Sequence, residues 1–170
     1  MTEAIANWMN DALSGFLPPE VIVFIVSMIP ILELRGGMII ASLYGFSLFK
    51  AFALCILGNV IPIPFILWLI TPIFSWMKKW KIFRKLVEKL EAKATGKKSE
   101  QIRKASFWGL LFFVGIPLPG TGAWTGSLIA ALLNLDKKRS WLAATLGVLL
   151  AAVIMAVISY GIPALIDLFV

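Results

Sequence analysis

Hydrophobic positions gather in four stretches, Val21–Phe49, Ala51–Met77, Phe107–Leu135 and Trp141–Ile166, with shorter polar or basic segments between them. None keeps the wide polar face of a soluble amphipathic helix, and each exceeds the roughly 20 residues that a helix needs to cross a bilayer. The pattern predicts an all-α integral membrane protein. Upstream, Ile5, Trp8, Met9, Ala12, Leu13 and Phe16 share one helical face, while Asn7, Asn10, Asp11 and Ser14 share the other. That spacing predicts an amphipathic helix over 1–17, ended by Pro18-Pro19, either at the membrane interface or against the rim of a bundle. No Lys or Arg precedes Arg35, so the basic start of a cleavable signal is missing.

Two of the stretches are interrupted. In the first, Pro30 is followed by Glu33-Leu-Arg35-Gly36-Gly37; the third contains Pro117-Leu-Pro119-Gly120-Thr121-Gly122-Ala-Trp124-Thr125-Gly126. Proline removes a backbone donor and clashes with the preceding turn, and each glycine costs a helix about 1 kcal/mol. As a helix, Phe107–Ile116 covers about 15 Å, roughly half the hydrocarbon core. These segments are expected to reach the midplane, turn and return, with the irregular backbone enclosed by protein or lining a wet cavity. The run Gly120–Gly126 is expected to lead into a helix over Ser127–Leu135.

The interruptions belong to a weak repeat. At an offset of 89, Gly37-Met-Ile-Ile-Ala-Ser-Leu matches Gly126-Ser-Leu-Ile-Ala-Ala-Leu, Lys50-Ala-Phe falls on Arg139-Ser-Trp, and Gly58 falls on Gly147. With a gap of two residues, Ile29-Pro30 pairs with Ile116-Pro117. Duplicated halves are common in transporters.

Composition narrows the class. The chain of 170 residues is 60% hydrophobic and 15% charged, too little charge to clothe a soluble globule. With no histidine and one cysteine, Cys55, disulfide scaffolds, histidine acid–base chemistry and the common metal sites drop out. No metal, cofactor or enzymatic activity is expected, and Cys55 reads as a small core residue.

Most of the 16 basic residues fall in Lys78–Lys104. There Ile82, Leu86 and Leu90 repeat every fourth residue beside a stripe of Lys81, Lys85, Lys89 and Lys93, and Gly96 and Ser99 can end one helix and cap the next. The positive-inside rule makes 78–106 a cytoplasmic helical linker, not a nucleic-acid surface. Lys137-Lys138-Arg139 reaches the same side only if the second broken segment re-enters the membrane. The predicted organisation is therefore one membrane domain, 1–170, in the cell inner (cytoplasmic) membrane. It is an inverted repeat of re-entrant helical hairpin plus transmembrane helix, 20–77 and 107–168.

Glu33 and Arg35 are the formal charges inside the four stretches. At membrane depth such groups are costly and are functional candidates by default. They read either as a buried ion pair holding the hairpin tip, or as an arginine that attracts an anion beside a carboxylate that exchanges a proton or couples to a cation. Glycines opening a helix start make a ready anion site, to which Thr121 and Thr125 add hydroxyls, while Trp124 can stack on or shield a ligand. The candidate substrate- or ion-binding set is Glu33, Arg35, Gly36, Pro117, Pro119, Gly120, Thr121, Gly122, Trp124 and Thr125. Small residues four apart, Gly37, Ala41 and Gly45, and Gly122, Gly126 and Ala130, also suit close helix packing, which better explains Ala41, Gly45, Gly126 and Ala130. Gly58, Pro62, Pro64, Pro72, Gly147, Gly161 and Pro163 read as kinks and close contacts.

At Glu33-Leu-Arg35-Gly36-Gly37 and Pro117–Gly126 the chain resembles the small multidrug export family of bacteria and archaea, a distant branch of the DedA-like superfamily, over about Val21–Ile166. The resemblance implies two re-entrant hairpins in inverted repeats, and membrane transport or lipid scrambling. DedA-like relatives are linked to proton-dependent movement of lipid phosphates such as undecaprenyl phosphate. Glu33 and Arg35 match the acidic and basic positions of the first hairpin, and Pro119-Gly120 the turn of the second. A clear arginine-rich motif after the second hairpin is lacking; Lys137-Lys138-Arg139 stands nearby.

The leading expectation is a transporter or flippase for an anionic lipid phosphate, with membrane lipids as partners. The alternatives are a proton-coupled exporter of small organic cations and a non-transporting assembly factor. About two full spans enclose little volume, which favours a homodimer, though no residue specifies one.

Overall fold

The computed structural model describes residues 17–77, 99–118 and 120–161. Most of the amphipathic helix expected over 1–17, residues 78–98 of the basic linker, Pro119 and the end of the last stretch lie outside these residues. All regular structure among the described residues is helical. The helices are α1 (Pro19–Met28), α2 (Glu33–Leu43), α3 (Leu48–Val60), α4 (Pro62–Met77), α5 (Ser99–Gly115), α6 (Ala123–Leu132) and α7 (Lys137–Ala156), which continues into a π-helical turn, Val157–Gly161.

Proline sets the first break. Helix α1 starts with Pro19 at its first position, where the missing N–H costs nothing. It stops before Pro30: Ile29, the residue before that proline, is extended at φ −76° and ψ 133°. A single turn then leads into α2. Pro62 and Pro64 interrupt the next apolar stretch more gently. The chain remains helical through Ile61, so Leu48–Ile70 forms one run long and apolar enough to cross a membrane. Lys137–Gly161 is the second such run. Ile31, Phe49, Phe65 and Trp108 are more than half exposed, a surface that a soluble monomer rarely tolerates.

The junction between α2 and α3 recurs, bond for bond, between α6 and α7. Gly45 takes φ +66° and Asn134, 89 positions later, takes φ +50°. In each case the next N–H reaches back five residues into the helix, Phe46 to Ala41 and Leu135 to Ala130, which is the Schellman closure. Ser47 then caps α3 by accepting from Lys50 N, and Asp136 caps α7 by accepting from Arg139 N at 2.8 Å. Gly45 was expected to serve close packing. It has nothing within 4 Å of a would-be Cβ, and its role is the left-handed turn. Asn134→Ala is therefore expected to cost about 1 kcal/mol, while Asn134→Gly costs nothing comparable; thermal unfolding in detergent checks both.

Helix contacts repeat in the same way. α1 packs on α2 and α3, and α5 packs on α6 and α7. Gly58 of α3 lies against Phe24 O and Ser27 of α1, while Gly147 of α7 lies against Leu111 O and Val114 of α5. The two groups interlock crosswise, α2 on α7 and α4 on α6. The buried core includes Val26, Leu34, Met38, Ile63, Leu67, Val114 and Val148. This interlocking brings the turn after α1 against the turn before α6.

Candidate functional site

Glu33 is the first residue of α2, with its backbone in the left-handed region at φ +49°. A non-glycine residue there is strained by on the order of 1–2 kcal/mol and persists only where its surroundings compensate. The compensation is visible. The Glu33 carboxylate, 5% exposed, accepts from the backbone N–H of Ala123 at 3.2 Å and of Trp124 at 3.1 Å. These are the first two residues of α6, so a buried carboxylate sits where the free donors and the positive end of the helix dipole favour negative charge. Gly122, the residue before α6, has φ +141°, and a Cβ there would fall on the Glu33 carboxylate.

Arg35 engages the opposite polarity of the same turn. Its guanidinium donates to the carbonyl of Leu118, to Thr121 O at 2.7 Å and to Thr121 Oγ1 at 2.8 Å. Those carbonyls belong to the irregular residues 116–118 and 120–122, whose polar atoms need partners when lipid is the solvent. A third link runs the other way. The Trp124 indole Nε1 donates to Met28 O at 2.8 Å, satisfying a carbonyl at the end of α1.

Glu33 and Arg35 thus do not pair with each other. Among the described residues the ion pair within 4 Å is Lys50–Glu20, at 2.6 Å on the surface. Each of the two charges instead holds part of the second turn, and together with Trp124 they tie both interruptions into one unit.

The other expected site residues are distributed around this unit. Thr121 lies at its centre, its hydroxyl 2.9 Å from Ile116 O and 2.8 Å from Leu118 O. Gly36 is buried against Leu32 and Val26, a packing position. Pro117 and Thr125 are half-buried, and Gly120, at φ +81°, is exposed. Pro119 lies outside the described residues. The helix expected from Ser127 begins four residues earlier, at Ala123, because the Glu33 carboxylate satisfies the first N–H groups that glycine-rich sequence would otherwise leave unpaired. Trp124, expected to stack on a ligand, spends its N–H on Met28.

One polar residue escaped the sequence reading. Asn59 of α3 is 2% exposed, and its Oδ1 has no hydrogen-bond partner. With Glu33 and Arg35 it lines a cavity with room for about one water, walled by Leu34, Val114, Ala123, Val148 and Ala151. Its signal was there: an amide in an apolar stretch free of formal charge. Among the described residues no cluster of acidic, histidine or cysteine side chains could hold a metal.

Residues 33–154, which begin at Glu33 directly after the first turn and contain the second, match the family model described as "Putative small multi-drug export protein". The chain belongs to this family. The name of the small multi-drug export family denotes a membrane transport role, and the two long apolar helices accord with a membrane protein. No curated protein and no solved structure matches the chain.

Proposed function

We propose that this member of the small multi-drug export family transports an amphiphile with an anionic headgroup, such as a lipid phosphate, and that Glu33 is the protein's own exchangeable stand-in for that headgroup. The carrying observation is the carboxylate on the N-terminus of α6. A site that takes two oxygens of a carboxylate offers the same donors to a phosphate oxyanion. Arg35, beside it, supplies a fork that suits phosphate. An arriving headgroup competes with Glu33 for α6, and protonation of Glu33 removes the competitor, which couples binding to proton movement.

The hydrocarbon part has a place to go. An apolar groove of about 290 Å³ runs between α5 and α6, lined by Gly109, Leu110, Phe113, Ile129, Leu133 and Leu135. The exposed Lys137, Lys138 and Arg139 follow directly after it. Two interrupted segments, each followed by a long apolar run with matching junctions, support re-entrant hairpins in an inverted repeat, with rocking of one half against the other as the transport step. The charge distribution favours a cytoplasmic-membrane location with the 78–106 loop inside, and the small enclosed volume favours a homodimer. The same proposal takes the family as a distant branch of the DedA-like proteins.

The test uses the purified protein in nanodiscs and farnesyl monophosphate as probe, with farnesol and inorganic phosphate as controls. Arg35→Ala is expected to weaken binding at least about tenfold, from the loss of charge-assisted bonds. Glu33→Gln is expected to tighten it by about tenfold, because the internal competitor loses its charge. The family description, multi-drug export, favours a second reading, which we take as proton-coupled export of organic cations. That reading requires the opposite result: Glu33→Gln abolishes binding of a cation such as ethidium, and Arg35→Ala leaves it intact. If both substitutions only lower the unfolding temperature and neither probe binds, a non-transporting assembly role stands instead.

A further inference from the structure

The bonds that join the two turns leave one polar side-chain atom of the cavity between them unused. Asn59 Oδ1 is an acceptor without a donor, in the same one-water cavity as Glu33 and Arg35. A buried amide oxygen left unpaired is unfavourable, so this one calls for a donor within the cavity, a water or a protonated side chain. Ionised Glu33 can only accept, and its partners are the N–H groups of Ala123 and Trp124. Protonated Glu33 acquires one O–H and needs an acceptor. Neither the N–H groups of α6 nor the Arg35 guanidinium can accept. Asn59 Oδ1 can.

We infer that Asn59 is the seat of protonated Glu33: on taking a proton the carboxyl releases the N-terminus of α6 and donates its O–H to Asn59 Oδ1, which lines the same cavity. The proton comes from water reaching the turn and forms an O–H bond at a Glu33 oxygen; the carboxylate charge disappears, and deprotonation reverses the step. Around Glu33, Arg35 on its own helix is the charged group lining the cavity. Helix α3 contributes the neutral Asn59 and α6 its backbone N–H groups, while α5 and α7 present Val114, Val148 and Ala151. Asn59 is thereby a positioning residue that gives Glu33 two bonded states instead of one. This inference rests on the reading of Glu33 as an exchangeable carboxylate.

Infrared difference spectra between acid and neutral pH, on the full chain in nanodiscs, test it. The acid carbonyl band of Glu33 is identified by its loss in Glu33→Gln. In the unsubstituted protein that band is expected at the frequency of a hydrogen-bonded acid. Asn59→Leu should move it to that of a free acid and lower the protonation midpoint by about one pH unit, a tenfold change. Asn59→Gln should restore a large part of both. A free-acid band in the unsubstituted protein overturns the inference, even if Asn59→Leu fails to fold. So does a folded Asn59→Leu protein with band and midpoint unchanged. Farnesyl monophosphate binding on the same samples separates the two ideas. If the band behaves as expected but binding ignores Glu33 and Arg35, only the substrate reading fails. If binding responds but the band does not, only the role of Asn59 fails.

Discussion

Gly122→Ala is expected to separate the two turns and to abolish binding at the α6 N-terminus. The added Cβ falls on the Glu33 carboxylate, which must leave Ala123 and Trp124. Two N–H groups, that of Ala123 buried and that of Trp124 half-buried, then lose a charged acceptor, worth about 1.5–3 kcal/mol each. The backbone at φ +141° adds strain for any residue with a side chain. The combined loss is expected at about 3–5 kcal/mol, visible as a large fall in the unfolding midpoint. Farnesyl monophosphate binding should vanish with it, because the methyl group occupies the space where an oxyanion would sit. A Gly122→Ala protein with unchanged stability and binding would show that the Glu33–α6 contact does not organise the site.

The second large effect concerns the two glycines that let helices touch. In Gly147→Leu the new Cβ would lie 2.7 Å from Leu111 O and from Val114 Cβ; in Gly58→Leu it would lie 2.6 Å from Phe24 O. A carbonyl held in a helix cannot rotate aside, so α7 must move away from α5, or α3 from α1. Overpacking of this kind costs about 1–3 kcal/mol, and more where backbone is the obstacle. Both substitutions are expected to reach or exceed the top of that range, and by similar amounts, since the two contacts occupy matching places in the two halves. Chemical denaturation in a mild detergent compares them directly. A large loss at one glycine and none at the other would break the equivalence of the halves.

What could be read from the residues alone was what local physics decides. Long apolar stretches with almost no charge impose helices and a lipid-compatible surface, whatever packs against them. Pro30 ends α1 through its own ring and its effect on Ile29. The left-handed turns at Gly45 and Asn134 and the caps at Ser47 and Asp136 obey rules that span only a few residues, and the offset of 89 that relates them is visible in the letters, but Gly45 was read as a packing position and the other three were not singled out. Glu33 and Arg35 stood out because ionised groups are rare in such surroundings.

Their partners were a different matter. Glu33 lies ninety positions from the N–H groups that it binds, and no periodicity encodes a contact at that separation. Once α2 packs on α7 and α4 on α6, the two interruptions meet. Only then is the helix start at Ala123 filled by the protein's own carboxylate, and only then does α6 begin there and not at Ser127. The same packing turned Gly122 from one of several small residues into the position where a side chain would strike Glu33, and it buried Asn59 with an oxygen unmatched. Segment character and break points are properties of neighbouring residues. Which buried polar atoms satisfy one another is a property of the assembled helices, because desolvation acts on whatever the fold brings together.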